Sequence, residues 1–116
     1  MMPVSEPSWV PDACTLPTVD QPLRAKEFDD LFRDATTEVR RVDAERARLV
    51  LRPEPGIAAR AAELSVRETQ CCSFFEFTLS ATRGELTMDI TAPARQVDVL
   101  DAFVDRARIA AGLVSR

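Results

Sequence analysis

Between Phe75 and Ile90 the chain writes out a β-hairpin, and that stretch limits the fold more than any other. Phe75, Phe77 and Leu79 alternate with Glu76, Thr78 and Ser80. Thr82-Arg83-Gly84 then offers a turn, and Leu86, Met88 and Ile90 resume the alternation. Successive strand side chains point to opposite faces, so the stretch can bury its apolar half only as two antiparallel strands against a core. A second alternation, Ala47, Leu49 and Leu51 against Arg46, Arg48 and Val50, predicts another strand, which Pro53-Glu54-Pro55-Gly56 terminates.

Three segments carry the helical period instead. Pro22 suits a first turn, and Phe28, Leu31, Phe32, Ala35 and Val39 recur at steps of three and four, predicting a helix from Gln21 or Pro22 to about Arg41. A second helix is expected from about Ile57 to Gln70 or Cys72, with Ile57, Ala61, Leu64 and Cys71 on one stripe. After Pro93, a third presents Val97, Leu100, Phe103, Val104, Ala107 and Ala111, with Gly112 as its stop. The order is α-β-α-β-β-α. A strand, a crossover helix and a further strand make a parallel unit, so the expectation is a two-layer α/β (α+β) domain. It would have a three-stranded mixed sheet with helices on one face. Its strand edges are open to pairing with a second copy, making a homodimer the expected assembly.

With 116 residues, 46% of them hydrophobic, the chain has material for one core. Residues 1–20 hold Pro3, Pro7, Pro11 and Pro17 and few large apolar groups. They read as a proline-rich arm carrying Cys14, ahead of a single domain at 21–116. The formal charge of -4 arises from interspersed charges with no basic face, which argues against nucleic acid as a partner. No segment approaches the roughly 20 apolar residues of a membrane span, and no apolar leader follows Met1, so a cytoplasmic location is expected. Three glycines leave no material for a phosphate-cradling loop, hence no nucleotide, and Lys26 is the only lysine.

What remains is sulfur: Cys14, Cys71 and Cys72, with no histidine. Thiolates are good nucleophiles and soft ligands. In a reducing compartment an odd number of cysteines is expected to be free or to hold something, rather than to form a disulfide framework. Glu68 lies three and four positions before the cysteine pair and shares their helix face, where it is placed to accept a thiol proton or to complete a ligand set. Three sulfurs favour Hg(II), As(III) or Cu(I). Zn(II) would need a fourth ligand from Glu68, Glu76 or Asp12. The structural alternative is that a Cys-Cys pair before Phe74 and Phe75 is ordinary core, and that Glu68 is a salt-bridge residue near a helix end. Phe74, Phe75 and Phe77 would exclude water from the thiols, with Arg67 near enough in sequence to offset the effect on their charge.

Cys14-Thr15-Leu16 and Glu68-x-x-Cys71-Cys72-x-Phe74-x-x-Phe77 together resemble a group of small bacterial proteins. That group shares a Cys-Ser/Thr-Leu segment and a Glu-x-x-Cys-Cys-x-Phe-x-x-Phe motif. Its members mostly have no assigned role, and some are encoded near mercury or arsenic resistance functions. The resemblance spans about residues 12–110; Ser73 stands where the group usually has proline. It implies thiol-based handling of a soft ion. The expected function is therefore binding of Hg(II), As(III) or Cu(I) through Cys14, Cys71 and Cys72, as a scavenger or carrier. The alternatives are a thiol-dependent enzyme, organomercurial lyase-like or thiol-exchanging, and a non-catalytic interaction module whose cysteines are buried.

Overall fold

Helix α1 (Gln21–Ala35) buries Phe28, Leu31, Phe32 and Ala35, the stripe its periodicity announces. It stops six residues before the expected end, because the chain passes directly into a strand, β1 (Thr36–Asp43). Val39 continues the helical spacing of the apolar residues, but Thr36, Thr37, Val39 and Val42 are β-branched, and such side chains lose rotamer freedom in a helix while suiting a strand. The turn after β1 is tied by the Glu45 N–H donating to Asp43 Oδ1 at 2.8 Å, and β2 (Arg46–Leu51) returns antiparallel. The computed structural model describes residues 21–113; the proline-rich arm lies outside them.

Helix α2 (Pro55–Cys71) begins with proline in its first turn, where the missing N–H costs nothing. It leads to β3 (Glu76–Thr82) and β4 (Glu85–Thr91), the hairpin expected from the sequence. Arg83 and Gly84 form its two-residue loop with φ of 53° and 76°, the doubly left-handed turn that matches strand twist. A turn of 3-10 helix at Ala94–Gln96 introduces α3 (Val97–Ala110). Gly112, at φ 74°, ends α3: its N–H donates to Ile109 O and that of Leu113 to Arg108 O, the paired bonds of a Schellman cap.

The four strands form one antiparallel sheet in the order β1-β2-β4-β3. Two expectations are corrected here. The sheet has four strands, because β1 had been read as helix. It is antiparallel throughout, because β4 inserts between β2 and β3. Those two strands do run parallel, as the crossover argument requires, but each pairs with β4 and not with the other. Apolar matching accounts for the insertion: Ala47, Leu49 and Leu51 lie opposite Ile90, Met88 and Leu86, and all six are buried. Periodicity identifies a hairpin but not which of its strands will lie beside an earlier one.

The helices cover one face of the sheet. Phe28, Phe32 and Phe103, all fully buried, meet edge to face or tilted, with ring centroids 5.3–5.9 Å apart, and join α1 to α3. Arginine–carboxylate pairs stitch the elements outside this core. Arg106 reaches Asp29 at 2.7 and 2.9 Å, Arg67 reaches Glu27 at 3.0 and 3.3 Å, and Arg41 reaches Asp101 at 2.7 Å. Arg48 and Asp89 pair across β2 and β4 on the opposite, helix-free face at 2.8 and 3.0 Å.

Candidate functional site

The inner face of α2 becomes more polar toward its C-terminal end. Ile57, Ala61 and Leu64 are followed by Ser65, Glu68 and Cys72, every one buried. Ser65 satisfies its hydroxyl by donating to Ala61 O at 2.7 Å and lies 3.6 Å from Met88 Sδ. Glu68 is completely buried, and it is the one fully buried charged side chain among the described residues. Holding a carboxyl group there costs several kcal/mol unless an opposite charge, a proton or hydrogen bonds compensate. This burial departs from the partly exposed position that the salt-bridge reading gave Glu68.

The helix ends at the cysteine pair. Cys71 is its last residue, and Cys72 is the cap, with non-helical φ and ψ of -120° and 83°. The Cys72 N–H donates to Glu68 O at 2.7 Å, fastening the second cysteine one turn from the carboxylate. Cys72 O in turn accepts from the Phe75 N–H at 3.2 Å, so the junction closes through a turn before β3 starts. Because the last turn unwinds at Cys72, the two sulfurs are released from the 100° separation of a regular helix.

The two thiol positions differ. Cys71 is half-buried and not disulfide-bonded. Cys72 is completely buried and disulfide-bonded, where the sequence reading expected a free or ion-bound thiol. Cys14 and Asp12 lie outside the described residues. Among the described residues no group of three or more His, Cys, Asp or Glu side chains is arranged to hold a metal ion.

Phe75 forms the floor of the junction. Its ring centroid lies 4.7 Å from that of Phe74, 5.7 Å from that of Phe77 and 5.9 Å from that of Phe103, which joins the site to the central aromatic cluster. Arg67 is engaged elsewhere, with Glu27 of α1. Glu76, offered as a fourth zinc ligand, is exposed at the start of β3. The structure thus gathers Glu68, Cys71 and Cys72 at one helix end, with neither Arg67 nor Glu76 turned to them. Sequence reasoning did not single out Ser65, although its position three residues before Glu68 on the same buried stripe was a signal available for it.

No protein-family model, no curated protein and no solved structure matches the chain. Among the described residues, no helix is long and apolar enough to cross a membrane.

Proposed function

We propose that the chain binds a soft metal or metalloid ion, Hg(II), As(III) or Cu(I), through the thiolates of Cys14, Cys71 and Cys72, as a scavenger or carrier in metal resistance. The observation that carries this reading is the burial of Glu68 one turn from the cysteine pair, in a helix otherwise lined on that side by apolar and small groups. Thiols must lose protons to become ligands, and a carboxylate in that place can take one up or support a ligand from behind. An aromatic floor keeps water from competing for the ion. Zn(II) is less well served, since it asks for a fourth ligand. Cys72 can serve as a ligand only once its disulfide is reduced, so ion binding belongs to the reduced protein.

Titration of the fully reduced protein with Hg(II), As(III), Cu(I) and Zn(II), followed by thiolate-to-metal absorption and free thiol count, tests the proposal. One soft ion per chain with three thiols consumed is the expected result. Thiols that remain unreactive to every ion until the protein unfolds would instead place them in the core and leave an interaction module.

A second reading is favoured by one observation: the thiol of Cys71 follows Glu68 by one turn and neighbours a disulfide-bonded cysteine, Cys72. In a thiol-exchange enzyme, the Cys71 thiolate would attack the disulfide of Cys72, forming a new S–S bond to the other sulfur as the old one breaks and Cys72 leaves as a thiolate, which Glu68 can serve with a proton. Turnover separates this from binding, as does a Glu68→Gln variant that keeps ion affinity while losing rate.

A further inference from the structure

The two edges of the sheet are built differently. On β1, pairing with β2 is interrupted twice, between Thr36 and Glu38 and between Arg41 and Asp43, and the strand carries Glu38, Arg40, Arg41 and Asp43. Bulges and charges of this kind are how proteins keep an edge from pairing with a further strand. β3 lacks the bulges and all but one of the charges. Seven residues, Glu76 to Thr82, pair with β4 without a break; the strand has no proline and a single charge, Glu76, at its first position. Thr78, Ser80, Ala81 and Thr82 are exposed. Phe77 and Leu79 face the helix layer yet stay half-exposed, whereas the corresponding residues of β2 and β4 are buried.

We propose that β3 is a dimerisation edge, pairing antiparallel with β3 of a second copy about a two-fold axis at Leu79. The proposal is independent of ion binding. Self-pairing suits this strand because Leu79 then lies opposite Leu79 of the second copy, Phe77 opposite Ala81, Thr78 opposite Ser80, and Glu76 opposite Thr82. No like charges meet, and the apolar residues share one face. The axis stands perpendicular to the sheet, so both helix layers fall on the same side and the two four-stranded sheets become one. The half-exposed Phe77 and Leu79 of each copy then cover one another at the seam. A contact one strand wide is at the small end of specific interfaces, and its dissociation constant belongs in the micromolar range.

Sedimentation velocity of the full chain from about 1 µM to about 1 mM tests this, with circular dichroism as the check on folding. The wild type is expected to pass from monomer to dimer across the range. Thr78→Lys/Ser80→Lys sets like charges opposite each other twice, by symmetry, and should raise the dissociation constant at least about tenfold. Thr78→Lys/Ser80→Glu makes the same number of changes on the same face but sets opposite charges together, and should keep the wild-type association. A wild type that is monomeric throughout overturns the proposal. So does a dimer that the two variants weaken equally, or that neither weakens.

Discussion

Cys71 and Cys72 are neighbours in sequence but not in chemistry. Cys71 is half-buried and outside any disulfide, while Cys72 is buried and bonded. Alkylation of the native, unreduced protein, read by peptide mass spectrometry, should therefore modify Cys71 and leave Cys72 untouched until a reductant is added. Modification of Cys72 without reductant would contradict the arrangement at the helix end. A second residue pair sets a pH dependence. The Arg48 guanidinium donates to Asp89 and holds its carboxyl below the ordinary value of 3.8, an effect that the partial burial of Asp89 opposes and the charges of Arg48 and Arg46 reinforce. A carboxyl whose value is lower in the folded state adds stability that is present above about pH 4 and is lost as pH falls through the depressed value. Arg48→Met should lower stability at pH 7, by the small amount expected for a largely solvent-screened pair. In urea unfolding the difference from wild type should shrink as pH falls below the ordinary carboxylate range; a difference that is constant with pH would assign the effect to packing. At this scale the sequence was informative about Glu68, since its spacing from the cysteines placed it on the inward face. It was silent about Cys72, because a disulfide leaves no local pattern in the sequence.

Elements were legible where the period was unambiguous. The β3–β4 hairpin, β2 and α3 with its glycine stop follow from alternation, helical spacing and turn chemistry, all of which act within a few residues. β1 was not legible. Its outward residues are polar, only Thr36 is buried, and Val39 falls where a continued α1 would have placed an apolar residue. The position of β4 between β2 and β3 was hidden for another reason: strand order is decided by pairing between segments far apart in sequence. The hairpin turn offers a direct test of local reading. Gly84 sits at φ 76°, with no heavy atom within 4 Å of where a Cβ would be, so Gly84→Ala meets backbone strain and no clash. The cost should be about 1 kcal/mol in chemical denaturation. An unchanged midpoint would mean that the turn relaxes to another type.

On the scale of the whole molecule, one layer of helices on one sheet leaves two consequences for function. The aromatic cluster of Phe28, Phe32, Phe75 and Phe103 ties α1, α3 and the cysteine junction into a single core, so the site rests on rigid packing and not on a loop. The junction stands where α2 hands the chain to β3, the strand proposed as the dimer edge, so each copy of a dimer would carry its own site close to the seam. Central to the account is the claim that three sulfurs of one chain share one soft ion. X-ray absorption at the mercury edge, on reduced protein loaded with one equivalent of Hg(II), measures that shell directly. A first shell of three sulfurs, falling to two in each of Cys14→Ser, Cys71→Ser and Cys72→Ser, is the predicted result. A two-sulfur shell in the wild type, unaffected by one of the three substitutions, would contradict the three-thiolate site.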